Sequence, residues 1–138
     1  MKKIFILSLW LTLSICNQGF ANDICSVIGH HQPGSYEYNG PTICDLVNFP
    51  TIIVHGPLTI TSSSISGEAR ISGPIHSSNS VFSSIIIENN HSRNRIYLND
   101  HSSVKNDITF ASEIPGKVYV DSTSSIEGHV NNGSIIKR

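Results

Sequence analysis

Apolar and polar residues alternate in short runs from Thr51 to the end of the chain, and Ser, Asn, Asp and Gly separate the runs. Alternation with a period of two is typical of β-strands that bury one side. No run shows the three- and four-residue spacing of an amphipathic helix. The pattern therefore predicts an all-β domain over residues 51–138.

Part of this region repeats itself. Residues 96–108 align with residues 118–130, so that apolar positions meet apolar positions and Tyr97 meets Tyr119, at an offset of 22 residues. A repeat of this length is typical of a solenoid, whose units are too small to bury a core alone. Stacking would pair each strand with its equivalent about 4.8 Å away. The repeat predicts two adjacent coils of a short parallel β-solenoid, with Ile, Leu and Val inside.

A Ser-Ile or Ser-Val step extends the repeat towards the N-terminus. It occurs at Ser64-Ile65, Ser80-Val81, Ser103-Val104 and Ser125-Ile126, with 16, 23 and 22 residues between the apolar members. The irregular spacing predicts an inserted loop, for which the polar segment 88–95 is the candidate. An antiparallel β-sandwich would also show short strands with regular turn signals, so it stays the alternative fold.

The segments before residue 51 differ from the repeat region. Residues 1–21 combine a basic start, an apolar run and a small-residue end, which predicts a signal peptide and hence export to the periplasm or outside the cell. Residues 22–50 are rich in turn signals and predict a cap over one end of the solenoid. Cys25 and Cys44 lie in this cap, and two cysteines in an oxidising compartment predict a disulfide.

The charge balance excludes one class of partner. The chain carries 9 Lys and Arg residues against 10 Asp and Glu, and loss of a leader containing Lys2 and Lys3 leaves 7 against 10. The resulting formal charge of −3 and the lack of a basic block predict no nucleic-acid partner. The leader's apolar run is too short to span a bilayer, so no stable membrane span is expected after its removal.

Four outer positions are the candidates for binding. Tyr97 and Tyr119 are expected to project outward, one above the other, where aromatic ladders can bind sugars or a protein or simply stabilise the strands. Asp107 and His129 occupy equivalent positions in adjacent coils and form a second outer pair. No nucleophile elbow is present, and the acids are scattered rather than paired. We therefore expect no enzyme activity, no metal site and no cofactor.

Residues 102–108 (Ser-Ser-Val-Lys-Asn-Asp-Ile) and 124–130 (Ser-Ser-Ile-Glu-Gly-His-Val) resemble the repeating unit of bactofilins. In that family a small residue, an apolar residue, a polar residue, Gly, an acid and Val recur along a polymer-forming right-handed β-helix. The resemblance covers residues 58–136 and its motif is short. It implies a non-enzymatic scaffold that associates end to end. This chain departs from the family in its signal peptide and its paired cysteines, because bactofilins are typically cytoplasmic.

These observations predict an exported, non-enzymatic β-solenoid with a structural, scaffold or surface-interaction role. Its expected partner is a second copy of the chain or a component of the envelope or cell surface. The alternative function is a small carbohydrate- or protein-binding module of the bacterial envelope.

Overall fold

The structure is a computed structural model that describes residues 25–88 and 94–138. The predicted leader, and residues 89–93 of the predicted loop, lie outside the described residues. The described chain is all-β, and its parallel strands stack in coils of about six turns that form a β-solenoid. The predicted fold is therefore confirmed, and the sandwich alternative is wrong, because consecutive coils pair in parallel.

Each coil has three sides, which we name faces 1, 2 and 3. Face 1 is a seven-stranded sheet in which all neighbouring pairs except the first are parallel. Its strands, in spatial order, are β1 (Ser26–Val27), β4 (Thr42–Asp45), β7 (Leu58–Thr61), β9 (Ile75–Ser78), β11 (Arg95–Asn99), β14 (Gly116–Val120) and β17 (Gly133–Lys137).

Faces 2 and 3 are continuous with each other through two long strands, β8 (Ser64–Ile71) and β10 (Val81–Ile87), which begin on face 2 and end on face 3. The other strands of face 2 are β5 (Asn48–Phe49), β12 (Ser103–Val104) and β15 (Ser125–Ile126). The other strands of face 3 are β2 (His30–His31), β3 (Glu37–Asn39), β6 (Ile52–His55), β13 (Ile108–Phe110) and β16 (Val130–Asn131).

The core is a set of ladders in which equivalent inward side chains stack from coil to coil. On face 1, Ile96 pairs with Val118 and Leu98 with Val120, which confirms the 22-residue offset read from the sequence. On face 2 the ladder consists of Phe49, Ile65, Phe82, Val104 and Ile126. Alternation thus places the apolar side chains of these strands inside and most of the polar ones outside.

One position in the predicted ladder is wrong by one residue. The sequence predicts that Val81 is the equivalent of Ile65, but the register pairs Val81 with Ser64 and Phe82 with Ile65. Val81 faces outward and is 37% exposed, whereas Phe82 is fully buried. The strand places Phe82 inside and Val81 outside, because burying Phe82 removes more apolar surface from water than burying Val81 would.

The corner between faces 1 and 2 turns through a residue with left-handed backbone geometry. Leu46, Ser62, Asn79 and Asp100 have φ values of 54°, 48°, 47° and 50° and follow equivalent ends of face-1 strands. Asn and Asp tolerate this region better than other residues with a side chain. The corner is therefore built from a repeated backbone conformation rather than from a repeated residue.

A ladder of serines lies immediately inside this corner. The backbone N–H groups of Val47, Ser63, Ser80 and Ser102 donate to the hydroxyls one coil further on, at Ser63, Ser80, Ser102 and Ser124, over 3.0, 3.1, 3.3 and 3.1 Å. Buried N–H groups need an acceptor, and at this corner the serine hydroxyls supply it. The serine-rich stretches of the sequence thus hold the turns together.

Replacing Ser80 by alanine tests this ladder. Its hydroxyl accepts from the Ser63 N–H and donates to the Ser78 carbonyl oxygen over 2.9 Å, and the side chain is fully buried. We expect Ser80→Ala to lower the free energy of unfolding by about 1–3 kcal/mol, since it leaves a buried N–H unsatisfied. Urea unfolding measures the loss. Ser122→Ala, at an exposed position, is the control, and an equal loss in both variants would contradict the ladder.

The N-terminal end is closed by antiparallel strands and a disulfide. Cys25 and Cys44 are bonded, which confirms the predicted pairing, and their Cα atoms lie 4.3 Å apart. Cys44 stacks on Ile60 in the face-1 ladder, so the bond ties the cap directly to the core. Parallel pairing already begins at β3, β4 and β5, within the segment from which the sequence predicts the cap.

Candidate interaction surface on face 1

Three aromatic rings form a column on the outer side of face 1. His76, Tyr97 and Tyr119 are paired in register on consecutive strands β9, β11 and β14. The His76 and Tyr97 ring centroids are 4.6 Å apart with planes at 6°, and those of Tyr97 and Tyr119 are 4.9 Å apart at 10°. We call these three residues the aromatic column. Its spacing is that of neighbouring strands.

Stacking determines which parts of the rings a ligand can reach. Tyr97 has an aromatic neighbour on each side, so both of its ring faces are covered. Each such pair stabilises the stacked strands by about 0.5–1.5 kcal/mol beyond burial. The surface that remains accessible consists of ring edges and polar atoms. Ring edges carry the positive part of the aromatic quadrupole.

Three cationic side chains surround the column. Arg95 and Lys117 are paired in register two positions before Tyr97 and Tyr119, and both are exposed. The Arg138 guanidinium carbon lies 5.5 Å from the Tyr97 centroid and 5.7 Å from that of Tyr119, so it sits beside both rings. Hydrogen bonding to the Tyr97 side chain raises the pKa of the Arg95 guanidinium. Face 1 therefore joins a stacked aromatic column to a cationic border.

A recess of about 390 Å³ opens beside the column. It is lined by Pro74, His76, Arg95 and Tyr97. Its volume is within the range of small-ligand sites. Its walls offer a guanidinium, an imidazole and a phenol, and none of the four lining residues is acidic. The recess can thus donate several hydrogen bonds to one bound group.

Several acidic side chains near the other faces are paired with cations, either in the same strand or in the next coil. Arg70 binds both Glu68 and Glu88, and Lys105 lies 3.5 Å from Glu127. At the edge of face 1, the Asp121 carboxylate accepts hydrogen bonds from the backbone N–H of Asp100 and from Thr123, over 2.8 and 3.0 Å. The Asp100 N–H is the main reason that the pKa of Asp121 lies well below its usual value.

Asp107 and His129 lie together at the corner between faces 2 and 3, away from the aromatic column. The His129 backbone N–H donates to Asp107 Oδ1 over 2.8 Å, whereas its ring Nδ1 is 3.6 Å from the same oxygen. The backbone bond is the main cause of the lowered Asp107 pKa. The His129 side chain is 90% exposed. The pair therefore links two coils, and its imidazole stays in solvent.

Sequence reasoning missed part of the face-1 surface. It selected Tyr97 and Tyr119 because both lie in the 22-residue repeat, but it left His76, Arg95, Lys117 and Arg138 unassigned. His76 precedes Tyr97 by 21 residues, so the aromatic match is visible only when the coil boundaries are known. Arg95 and Lys117 also align at the 22-residue offset, and they directly precede the aligned segments 96–108 and 118–130.

No protein-family model, curated protein or solved structure matches this chain. The resemblance to bactofilins therefore rests on the short motif, while the β-solenoid arrangement is compatible with a β-helix repeat. Over residues 25–88 and 94–138, no helix is long and apolar enough to cross a membrane. Within the same ranges, no three His, Cys, Asp or Glu side chains are grouped in a way that could hold a metal ion.

Proposed function

We propose that this protein is an exported, non-enzymatic β-solenoid with a scaffold and surface-interaction role, and that face 1 is its interaction surface. The aromatic column carries the proposal. A stacked set of aromatic rings over three consecutive coils gives a rigid surface whose parts cannot shift independently. Rigid presentation reduces the ordering cost of binding.

Export is part of the proposal. Residues 1–21 have the pattern of a signal peptide, and the Cys25–Cys44 disulfide is consistent with an oxidising, exported environment. We place the protein in the periplasm or outside the cell. Its partner is then an envelope or surface component, and self-association of the kind found in bactofilins stays part of this proposal because the repeat motif resembles theirs.

A carbohydrate- or protein-binding module is the second candidate, and the recess beside Tyr97 favours it. A scaffold needs only the ladders, whereas a recess lined by Arg95, His76 and Tyr97 provides directional hydrogen-bond donors. The two roles are compatible, since a solenoid can present a binding surface.

Replacing both tyrosines tests the interaction surface. We expect Tyr97→Ser/Tyr119→Ser to weaken binding to an immobilised envelope fraction or a glycan array by about ten-fold or more, because it removes the rings that form the column. Far-UV circular dichroism and thermal unfolding check that the fold is retained, since two stacking contacts of about 0.5–1.5 kcal/mol each are lost.

The matched control is Lys105→Ser/Glu127→Ser, an exposed pair in the same two coils near the corner between faces 2 and 3. Binding should be retained in this variant. If the tyrosine variant folds and binds as well as the unchanged protein, face 1 is not the interaction surface.

A further inference from the structure

We propose that the recess and the adjoining cationic border of face 1 bind an anionic polysaccharide, with Arg95 and Lys117 holding the acidic groups of successive sugars. This inference rests on the proposed function of face 1 and names the ligand class of that surface.

At Tyr97 the stacking excludes the commonest way in which an aromatic residue binds a neutral sugar. Neutral sugars lie flat on an exposed ring face, but both faces of Tyr97 are covered by His76 and Tyr119. The accessible ring edges are electropositive. The same surface that is unsuited to stacking a neutral sugar is therefore favourable for an acidic group placed at the ring edge.

The cations of face 1 differ from those elsewhere in the described chain. Arg70 and Lys105 are each paired with a carboxylate. Among the described residues, no carboxylate forms an ion pair with Arg95, Lys117 or Arg138, and Arg138 instead donates to the Asn99 side-chain oxygen over 2.8 Å. Arg95 hydrogen-bonds to Tyr97 but has no carboxylate partner in the described chain, and a guanidinium in that state can still bind a carboxylate or sulfate.

The cations of face 1 are repeated from one coil to the next. Arg95 and Lys117 are equivalent residues on neighbouring strands, so two cations follow one another along the solenoid axis beside the column. The strand spacing is about 4.8 Å. Tyr97 and Asn99 lie in the same coil as Arg95, and His76 lies in the preceding coil; all three supply hydrogen-bonding partners for sugar hydroxyls. A linear chain with an acid on each sugar would match both the charges and the polar groups.

Nucleic acid is a poorer fit. Stable binding to a phosphate backbone needs many neutralised phosphates, and only Arg95, Lys117 and Arg138 lie beside the aromatic column among the described residues, with Asp121 at the sheet edge. A polysaccharide requires fewer ionic contacts because its hydroxyls contribute hydrogen bonds. We therefore expect the surface to prefer acidic sugars over single-stranded DNA of similar charge.

Isothermal titration calorimetry with the purified protein tests the inference. The probes are an oligogalacturonate, its fully methyl-esterified form, a sulfated heparin-derived oligosaccharide and a single-stranded oligonucleotide. We expect at least one of the two acidic oligosaccharides to bind, and the oligonucleotide to bind more weakly than the tighter of the two. If the oligogalacturonate binds, its ester should bind about ten-fold or more weakly. The two acidic probes distinguish carboxylate from sulfate as the recognised group.

Variants assign the binding to face 1. Arg95→Gln/Lys117→Gln should lose about ten-fold or more in affinity, Arg95→Lys should lose less, and Arg70→Gln/Lys105→Gln should bind like the unchanged protein. The inference is overturned if neither acidic oligosaccharide binds, if the ester binds equally well, if the oligonucleotide binds as tightly, or if both double variants lose affinity alike.

These outcomes are separate from the test of the proposed function. If Tyr97→Ser/Tyr119→Ser abolishes envelope binding while Arg95→Gln/Lys117→Gln retains it, face 1 is still the interaction surface but its ligand is not an acidic sugar. If neither variant changes envelope binding, the proposed function itself is wrong.

Discussion

Replacing Phe82 by alanine is expected to lower the free energy of unfolding by about 3–5 kcal/mol. Phe82 is fully buried in the face-2 ladder, between Ile65 of the preceding coil and Val104 of the following one. Removing the ring creates a cavity that rigid, hydrogen-bonded strands on either side cannot close. Denaturant unfolding measures the effect as a shift of the midpoint with an unchanged slope.

The neighbouring residue provides the control. Val81 precedes Phe82 in β10 but faces outward and is 37% exposed. Val81→Ala should change stability by less than about 1 kcal/mol, since surface substitutions usually have small effects. A larger loss at Val81 than at Phe82 would mean that β10 is shifted by one residue, which reverses inside and outside along a strand.

Removal of the disulfide is expected to cost about 3 kcal/mol. Cys25 and Cys44 are separated by 19 positions in the sequence, and closing this loop restricts the unfolded chain. We expect Cys25→Ala/Cys44→Ala to unfold at lower urea concentration than the unchanged protein. Alanine is preferred to serine, because both sites are buried and a hydroxyl there would need a partner.

Reduction of the unchanged protein gives an independent measurement. Dithiothreitol should lower its stability by about the same amount and should leave the double variant unaffected. If reductant has no effect on the unchanged protein, or if its cysteines react as free thiols when folded, the bond does not form. Loss of stability by the variant alone would then reflect packing at Cys44 rather than the cross-link.

The sequence by itself determined the fold class, the disulfide and the register of the last coils. The alternation of Ile, Leu and Val with polar residues sets which side of each strand is buried, since side chains alternate strictly along a strand. Residues 96–108 and 118–130 are similar enough that their alignment gives the pairing of Tyr97 with Tyr119 directly. With only two cysteines after the predicted leader, one pairing was possible.

The tertiary structure alone decided the register of the earlier coils and the composition of the face-1 surface. Equivalent residues are 17 apart between Ile65 and Phe82, 21 apart between His76 and Tyr97, and 22 apart between Tyr97 and Tyr119. Because turns of different length separate equivalent strands, no single period aligns His76 with the tyrosines. Only the hydrogen-bonded stacking of coils brings these rings together and places Arg95 and Arg138 beside them.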